Sequence, residues 1–325
     1  MSKPHIAVVI PCYRVQGKVL DVIAHIGPDV SSIYVVDDGC PGRTGDIVER
    51  KARDSRVRVI RHDQNRGVGA ATLTGMEAAV ANGATVVVKI DGDGQMNPAL
   101  IPIFVRPILQ GEADCTKGNR FFAPEYLSGM PAIRIFGNGV LSFMTKLSSG
   151  YWTILDPTNG FLALHASVFK LLPKSKIAQR FFFESDLLFR LNLVRANVID
   201  IPLRSTYADE ISNLRVHHLI IPFVWYLVRN LAKRVIYSYF VRDFSIGSIY
   251  LIFGLPIFLF GLFFGFSEWI SHMQSGAFAS AGVVMFSALP IIVGFQLILA
   301  FLTYDVANVP RTAIHPRIDL RSAAE

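Results

Sequence analysis

The chain has 325 residues, 51% of them hydrophobic and 18% charged, so it can bury a large core and is rich in apolar side chains for a soluble protein. Its three cysteines, Cys12, Cys40 and Cys115, are odd in number and lack C-x-x-C spacing, which excludes a disulfide framework or a cysteine zinc site and predicts reduced thiols. Much of the clustered charge behind the net +7 lies beside apolar C-terminal segments, where anionic lipid attracts it, and no helix-turn-helix, zinc-finger or RNP-like pattern accompanies it, so no nucleic-acid partner is expected.

At the N-terminus, "MSKPHIAVVIPCY" lacks the long apolar region of a signal peptide, which keeps the part ahead of the apolar segments in the cytosol. "IAVVIP" (Ile6 to Pro11), "SIYVVDD" (Ser32 to Asp38), "VRVIRH" (Val57 to His62) and "TVVVKID" (Thr85 to Asp91) predict strands. β-Branched runs without polar alternation suit a sheet covered on both faces. Stretches of helical spacing lie between them, "GVGAATLTGMEAAVANG" included. Strand, helix, strand in repetition predicts an α/β fold, a Rossmann-like and mainly parallel sheet with helices on both faces. Ligands bind beyond the carboxyl ends of such strands, and three of the four end in "PCYR", "DDG" and "DGDG".

In the last of these, Gly92 and Gly94 let the backbone curl so that Asp91 and Asp93 converge. Two carboxylates so placed repel unless something positive lies between them. One reading is an Asp-Gly turn capped by its own side chains. The other is a site for a divalent cation carrying a phosphorylated ligand, because hard ions such as Mg²⁺ are held by one or two carboxylates plus ligand phosphates. "NRGVGAA" matches neither phosphate-loop pattern and predicts instead that Gly67 and Gly69 let a helix start close to a nucleotide.

Further on, Val224 to Phe240 sets Arg229, Asn230, Lys233 and Arg234 opposite Val228, Leu231, Val235 and Tyr239. That spacing predicts an interfacial amphipathic helix at a membrane, or else a helix packed in a bundle. Phe244 to Phe266 and Ala281 to Tyr304 contain no charged residue, and each exceeds the roughly 20 residues that cross a bilayer core. Two transmembrane helices are expected, since buried helices of soluble proteins rarely reach this length without a polar face. Pro256 and Pro290 within them are either tolerated or kinks. Arg229, Lys233, Arg234 and Arg242 precede the first span, Arg311, Arg317 and Arg321 follow the second, and the connecting "SEWISHMQSGAFAS" has neither Lys nor Arg. The positive-inside rule then puts both termini in the cytoplasm, on a multi-pass protein of the cytoplasmic (inner) membrane. Gly254, Gly261 and Gly265 permit close helix packing, and with it a homo-oligomer.

"VVIPCYR", "YVVDDGCPGRTGDIV", "NRGVGAATLTGMEAAVANGATVVVKIDGDGQMNP" and "DPTNGFLALHASVF", in this order, resemble the family 2 glycosyltransferases of the GT-A fold. With the two spans, the chain is similar to the polyprenyl-phosphate glycosyltransferases, the group of dolichyl-phosphate mannose synthase and bacterial glucosyl-polyprenyl-phosphate synthases. The resemblance implies that Asp91 and Asp93 hold Mg²⁺ or Mn²⁺ on the diphosphate of a UDP- or GDP-linked sugar, with Gln95 in the family's next position. Such a cation stabilises charge developing on the leaving group. It implies that Pro11, Tyr13, Asp38 and Asp91 meet the nucleotide, while Asp37 reads equally as structural or functional. It implies that Arg120 and Arg134, assisted by Asn138, bind the acceptor phosphate, which guanidinium grips bidentately. Asp156 in "DPTNGF" matches a catalytic aspartate near sugar and acceptor. A phosphate monoester, with its second pKa at about 6, is mostly dianionic at neutral pH and needs little help from a base. Positioning is therefore the first reading of Asp156 and base catalysis the second.

"FFFESDLLFRL" carries Glu184 and Asp186 where hydroxyl-glycosylating relatives place an acidic pair that includes a base; two acids at a helix N-terminus are the other reading. "DDGCPGRT" has Cys40 and Gly42 where the family commonly has Ser and Asp, which leaves nucleotide selectivity open. "RSTYADEISNL" (Arg204 to Leu214) reads as a loop closing over the site or as an ordinary domain edge. The expected organisation is a cytoplasmic GT-A catalytic domain over 1–214, a juxtamembrane amphipathic helix over 215–243, two transmembrane helices with a short extracytoplasmic loop over 244–304, and a cytoplasmic tail over 305–325. The expected function is inverting transfer of a sugar from a nucleotide-diphosphate sugar to polyprenyl (undecaprenyl) phosphate, with the lipid bilayer as partner. Transfer to a saccharide or lipid hydroxyl with Asp186 as base is one alternative, and a non-catalytic nucleotide-sugar-binding scaffold is another. Two spans and the lack of a Q-x-x-R-W sequence speak against a processive synthase.

Overall fold

The structure, a computed structural model, describes residues 4–123, 132–203 and 216–322. Strands β1 (Ile6–Cys12), β2 (Ser32–Asp38), β3 (Val57–His62) and β4 (Val86–Lys89) form where the β-branched runs predict them. With β5 (Cys115–Asn119), β6 (Leu162–His165) and β7 (Val198–Pro202) they build a seven-stranded sheet of order β3-β2-β1-β4-β6-β5-β7. Every pairing is parallel except those of β6, which runs antiparallel to β4 and to β5. The loop entering β6 therefore reaches the same edge as the loops leaving the other strands. "PCYR", "DDG", "DGDG" and "DPTNG" all meet there.

One face of the sheet buries Val8 and Ile10 with Val86, Val88 and Ile90 against Val22 and Ile23 of α1 (Val19–Ala24) and Phe104 and Val105 of α4 (Ile101–Leu109). Each such side chain contributes about 1.5–3 kcal/mol on burial. The other face receives α3 (Val68–Ala81), where Gly75 permits close contact: a methyl group there would stand 2.4 Å from Val9 Cγ1. Pro11 sits in central strand β1 without disrupting it, because the pairing of β1 with β4 ends at Val9 opposite Lys89 and a missing N–H beyond that point breaks no ladder bond. α2 (Thr44–Lys51), α5 (Ala132–Ser149), α6 (Ala166–Leu171) and α7 (Phe183–Leu193) complete this part.

α8 (Val216–Ile236) lies within the stretch expected to form an amphipathic helix and continues through a π turn at Tyr237–Val241. Its faces are reversed from those of a soluble protein. Leu227, Asn230, Arg234 and Ser238 form the buried stripe, whereas Ile221, Trp225, Val228 and Ile236 are exposed. Asn230 and Arg234 turn inward because partners await them: Asn230 Nδ2 donates to Asp186 Oδ1 at 2.9 Å, and Arg234 binds Asp305 through both Nη atoms at 2.6 and 3.0 Å. An outward apolar face is what an interfacial helix offers to lipid.

α9 (Ile246–Ser275) and α10 (Ala281–Ala307) are long and apolar enough to cross a membrane. α9 runs nine residues beyond the expected end of the span at Phe266, which shortens the connection to 276–280. Glu268 and His272 continue the helix as an i,i+4 pair, and it stops at Gly276, whose φ of 65° is the left-handed conformation that ends helices. Pro256 and Pro290 lie inside unbroken helices. The glycines that suggest association between chains are occupied within this one. A methyl group at Gly254 would lie 2.8 Å from Leu297 Cβ, at Gly261 2.8 Å from the Ile291 nitrogen, and at Gly265 3.2 Å from Ser287 Cβ.

The chain divides into a unit of residues 1–232 with 310–325, and a unit of residues 233–309 that holds both long helices. The segment after α10 thus belongs to the sheet-bearing unit. There α11 (His315–Ser322) is anchored at Asp114, whose carboxylate accepts from the Ile314 and His315 N–H groups and contacts His315 Nδ1 at 2.8 Å.

Candidate active site

At the end of β2 the two aspartates, Asp37 and Asp38, are buried. Asp37 accepts from Cys40 N at 2.8 Å and Gly45 N at 2.6 Å, so it shapes the β2–α2 loop. Asp38 is buried, accepts from Arg66 N at 2.9 Å and Gly67 N at 2.7 Å, and contacts His62 Nδ1 at 2.7 Å. It was expected at the nucleotide; in the structure its oxygens hold the start of α3. Cys40 occupies the position of the family's serine and acts as an acceptor, its sulfur receiving N–H of Arg14 and the hydroxyl of Thr44, each at 3.1 Å. Burial alone would raise this thiol, but those hydrogen bonds pull it below its ordinary value. Cys40 thereby joins the two loops nearest Pro11 and Tyr13. Tyr13 is 40% exposed, with the Arg14 guanidinium 5.3 Å from its ring centroid.

The D-G-D turn follows β4. Lys89, the last residue of that strand and 1% exposed, reaches Asp91 Oδ1 at 2.9 Å and Glu184 Oε1 at 3.0 Å. Burial works against its charge, but the two carboxylates more than offset that and hold the ammonium above its usual range. Asp91 thus shares a buried cation from within the chain with Glu184. Sequence reasoning missed Lys89, although a lone lysine in the aliphatic run "VVVKI" was the available signal. Gly160 closes the cluster, since a methyl group there would stand 2.3 Å from Asp91 Oδ2. Asp93 Oδ1 accepts from Gln95 N at 3.0 Å, as in a turn capped by its own side chain.

Register extends the cluster sideways. Lys89 pairs with Leu162, Leu162 with Lys117, and Lys117 with Asp200, so these four residues form one row across β4, β6, β5 and β7. Lys117 is likewise 1% exposed and donates to the Asn159 carbonyl. Its burial lowers it, against the pull of Glu184 and Asp156.

Beyond β5, Arg120 and Asp156 form a fork: Nε to Oδ2 at 2.7 Å and Nη2 to Oδ1 at 3.0 Å. Arg120 N and Asn159 Nδ2 each add a bond to Oδ2 at 3.2 Å. Two residues expected from separate roles are thus brought into one pair. Asn138 is half-buried on α5, and the side chain of Arg134 lies outside the described residues, as do residues 204–214.

Asp186 departs from expectation. It is 1% exposed and accepts from Ala178 N, Arg190 Nε and Asn230 Nδ2, each at 2.9 Å. A general base needs an open lone pair at the substrate; Asp186 instead anchors the segment ahead of α7, and Glu184 is the acid of the pair that faces the D-G-D turn. Gly67 and Gly69 serve the same segment. A methyl group at either would lie 2.5 Å from a carbonyl oxygen, that of Gln179 or of Ala178, so these glycines admit protein backbone.

Among the described residues no group of three His, Cys, Asp or Glu side chains is placed to hold a metal. Asp91 and Asp93 nevertheless fit a hard cation that takes its remaining ligands from phosphates and water. Both lie beyond the end of β4, and Gly160 leaves the space beside Asp91 Oδ2 that a side chain would fill.

A sheet of this order, with carboxylates, buried lysines and an arginine fork at one edge, has the architecture of the GT-A fold. Residues 7–172 match the glycosyl transferase family 2 model, and the chain belongs to that family. It is 30% identical over 223 residues to the UDP-N-acetylglucosamine–dolichyl-phosphate N-acetylglucosaminyltransferase of Methanococcus voltae, covering 64% of this chain and 88% of that one. It is 27% identical over 205 residues to the polyprenol monophosphomannose synthase of Mycolicibacterium smegmatis, covering 61% and 76%. In fold it is similar to glucosyl-3-phosphoglycerate synthase from Mycobacterium tuberculosis, crystallised with Mn²⁺, UDP and glucosyl-3-phosphoglycerate, with a TM-score of 0.51 and 21% identity over 71% of this chain and 80% of that one.

Proposed function

We propose that the protein is a membrane-anchored inverting glycosyltransferase that moves a sugar from a nucleotide-diphosphate sugar to polyprenyl phosphate on the cytoplasmic face of the membrane. The observation that carries this reading is the Arg120–Asp156 fork, a guanidinium held in one orientation by the loop whose Gly160 lies against Asp91. Asp156 aims Arg120 at an incoming phosphate, and four N–H donors already occupy its oxygens, which favours positioning over base catalysis. A phosphate oxygen of the acceptor attacks the anomeric carbon in line, the bond from that carbon to the diphosphate breaks, and its electron pair leaves with the nucleoside diphosphate. No proton has to be removed, because the attacking phosphate is already anionic.

Asp91 and Asp93 would hold Mg²⁺ or Mn²⁺, which supplies charge stabilisation at the leaving diphosphate. Lys89 keeps Asp91 oriented for that role. Tyr13 offers an exposed ring to the nucleobase, and Pro11 and Asp38 act through the loops they shape. Lys and Arg flank both long helices but are missing between them, and the chain returns to its first unit after α10; both features support cytoplasmic termini.

Radiolabel transfer tests the reading. Purified full-length protein is given Mn²⁺ or Mg²⁺, a panel of UDP- and GDP-sugars, and undecaprenyl phosphate. Label is expected in the organic phase only with metal present. Donor consumption that labels added saccharide instead would overturn the phosphate acceptor and make Glu184, not Asp186, the base to test.

A further inference from the structure

Asp200 on β7 carries none of the roles given above, yet it touches both sides of the fork. Its Oδ2 accepts from Asn119 Nδ2 and from Leu155 N, each at 2.9 Å. Asn119 precedes Arg120 in the chain and Leu155 precedes Asp156, so one carboxylate oxygen ties together the two stretches of backbone that present the pair. Asn119 Oδ1 in turn accepts from Phe121 N at 2.8 Å, closing the turn around Arg120. Among the described residues the other oxygen, Oδ1, is buried without a hydrogen-bond partner. Buried polar atoms are nearly always satisfied, and an exception carries a free-energy cost that calls for a reason.

We propose that Asp200 is a positioning residue that clamps the backbone on either side of the Arg120–Asp156 pair, and that taking up a proton loosens the clamp. What the pair binds rests on the function proposed above; the clamp itself does not. The charged groups facing Asp200 are Lys117 on β5, Lys146 on α5 and Asp156 in the loop before β6. Burial pushes its carboxyl up to about 6, opposed by the Leu155 N–H, Lys117 and Lys146 and reinforced by Asp156. On acidification the proton takes the partnerless Oδ1, and Oδ2 becomes a neutral and weaker acceptor. Because the folded value lies above the unfolded one, the ionised form weakens the fold at neutral pH, and stability from this group rises as pH falls through about 6. A side chain kept only for stability would not be ionised there.

Asp200→Asn retains an acceptor oxygen and mimics the protonated acid. In the purified full chain at neutral pH we expect a Tm no lower than wild type and a kcat roughly five- to ten-fold lower, the size of one weakened charged hydrogen bond. The wild-type-to-variant rate ratio should fall toward one as pH drops through about 6. The acceptor phosphate also titrates there, but it does so for both proteins and cancels in the ratio. Lys146→Met, which removes a cation facing Asp200, should move the midpoint of the wild-type profile upward. Hydrogen exchange at the Leu155 amide needs no substrate and should quicken in Asp200→Asn. A pH-independent ratio, an unmoved midpoint in Lys146→Met, or unchanged Leu155 exchange would each overturn the clamp. If no lipid product forms with either protein, the proposed acceptor fails while the exchange measurement still decides the clamp.

Discussion

Lys89 shows how one side chain governs its neighbours. It is the shared cation of Asp91 and Glu184, and removing one partner of a buried ion cluster leaves uncompensated charge. Lys89→Met is expected to lower stability by about 3 kcal/mol, with Glu184→Gln in the same chain recovering part of the loss. Denaturant unfolding of the single and double variants measures the coupling, and strictly additive losses would show that the pair does not interact. Asp93 lies at the half-exposed tip of the turn and bonds Gln95 N locally. Asp93→Asn should leave Tm near wild type while turnover falls about 10²–10³-fold, as for loss of one group that stabilises developing charge. Full activity in that variant would remove the carboxylate from the chemistry.

At the scale of elements, helix contact decides more than helix propensity. Gly294 lies so close to α9 that a methyl group would stand 2.4 Å from the Phe258 nitrogen, whereas one at Gly282 would meet only Ser280 Oγ at 3.7 Å. A backbone atom cannot yield as a side chain can. Gly294→Ala should therefore destabilise the helical hairpin by about 1–3 kcal/mol, and Gly282→Ala should be nearly neutral. Thermal unfolding in detergent separates the two, and equal effects would remove the close approach. α8 makes the converse point, since its inward Asn230 and Arg234 are explained by Asp186 and Asp305 on other helices.

For the molecule as a whole, the return of the chain after α10 is a structural tie. Asp114 accepts from the Ile314 and His315 backbone as well as from Asn197 N, and His315 stacks on His165 with ring centroids 4.1 Å apart. His315→Ala should lower stability by about 2 kcal/mol through loss of a hydrogen bond to a charged group. Burial, and secondarily His315, press His165 down to about 4, with Asp319 opposing. The unfolded chain therefore takes up the proton first, and stability from this tie is lost as pH falls from about 6.5 toward 4. A His165→Phe variant should flatten that part of the Tm–pH curve; an unchanged slope would exclude His165.

The four N-terminal strands, α3 and both long helices are legible in the sequence, because each depends on local periodicity or on a run of like residues. So are the positions of Asp91, Asp93, Arg120 and Asp156, which the family's motifs mark. The short strands β5, β6 and β7 are not, since "CTKGN" and "LALH" are too brief and too mixed to show a period. Whether an acid is reactive or structural is decided only in three dimensions. Asp186 and Glu184 are two residues apart on one helix, yet one meets Arg190 and Asn230 and the other meets Lys89, 95 positions distant. The sequence by itself determined which chemical groups the protein carries and where its chain turns or is long and apolar enough to cross a membrane. Tertiary structure alone decided which carboxylates are already neutralised, because a charge's state depends on partners that the sheet brings together from distant parts of the chain.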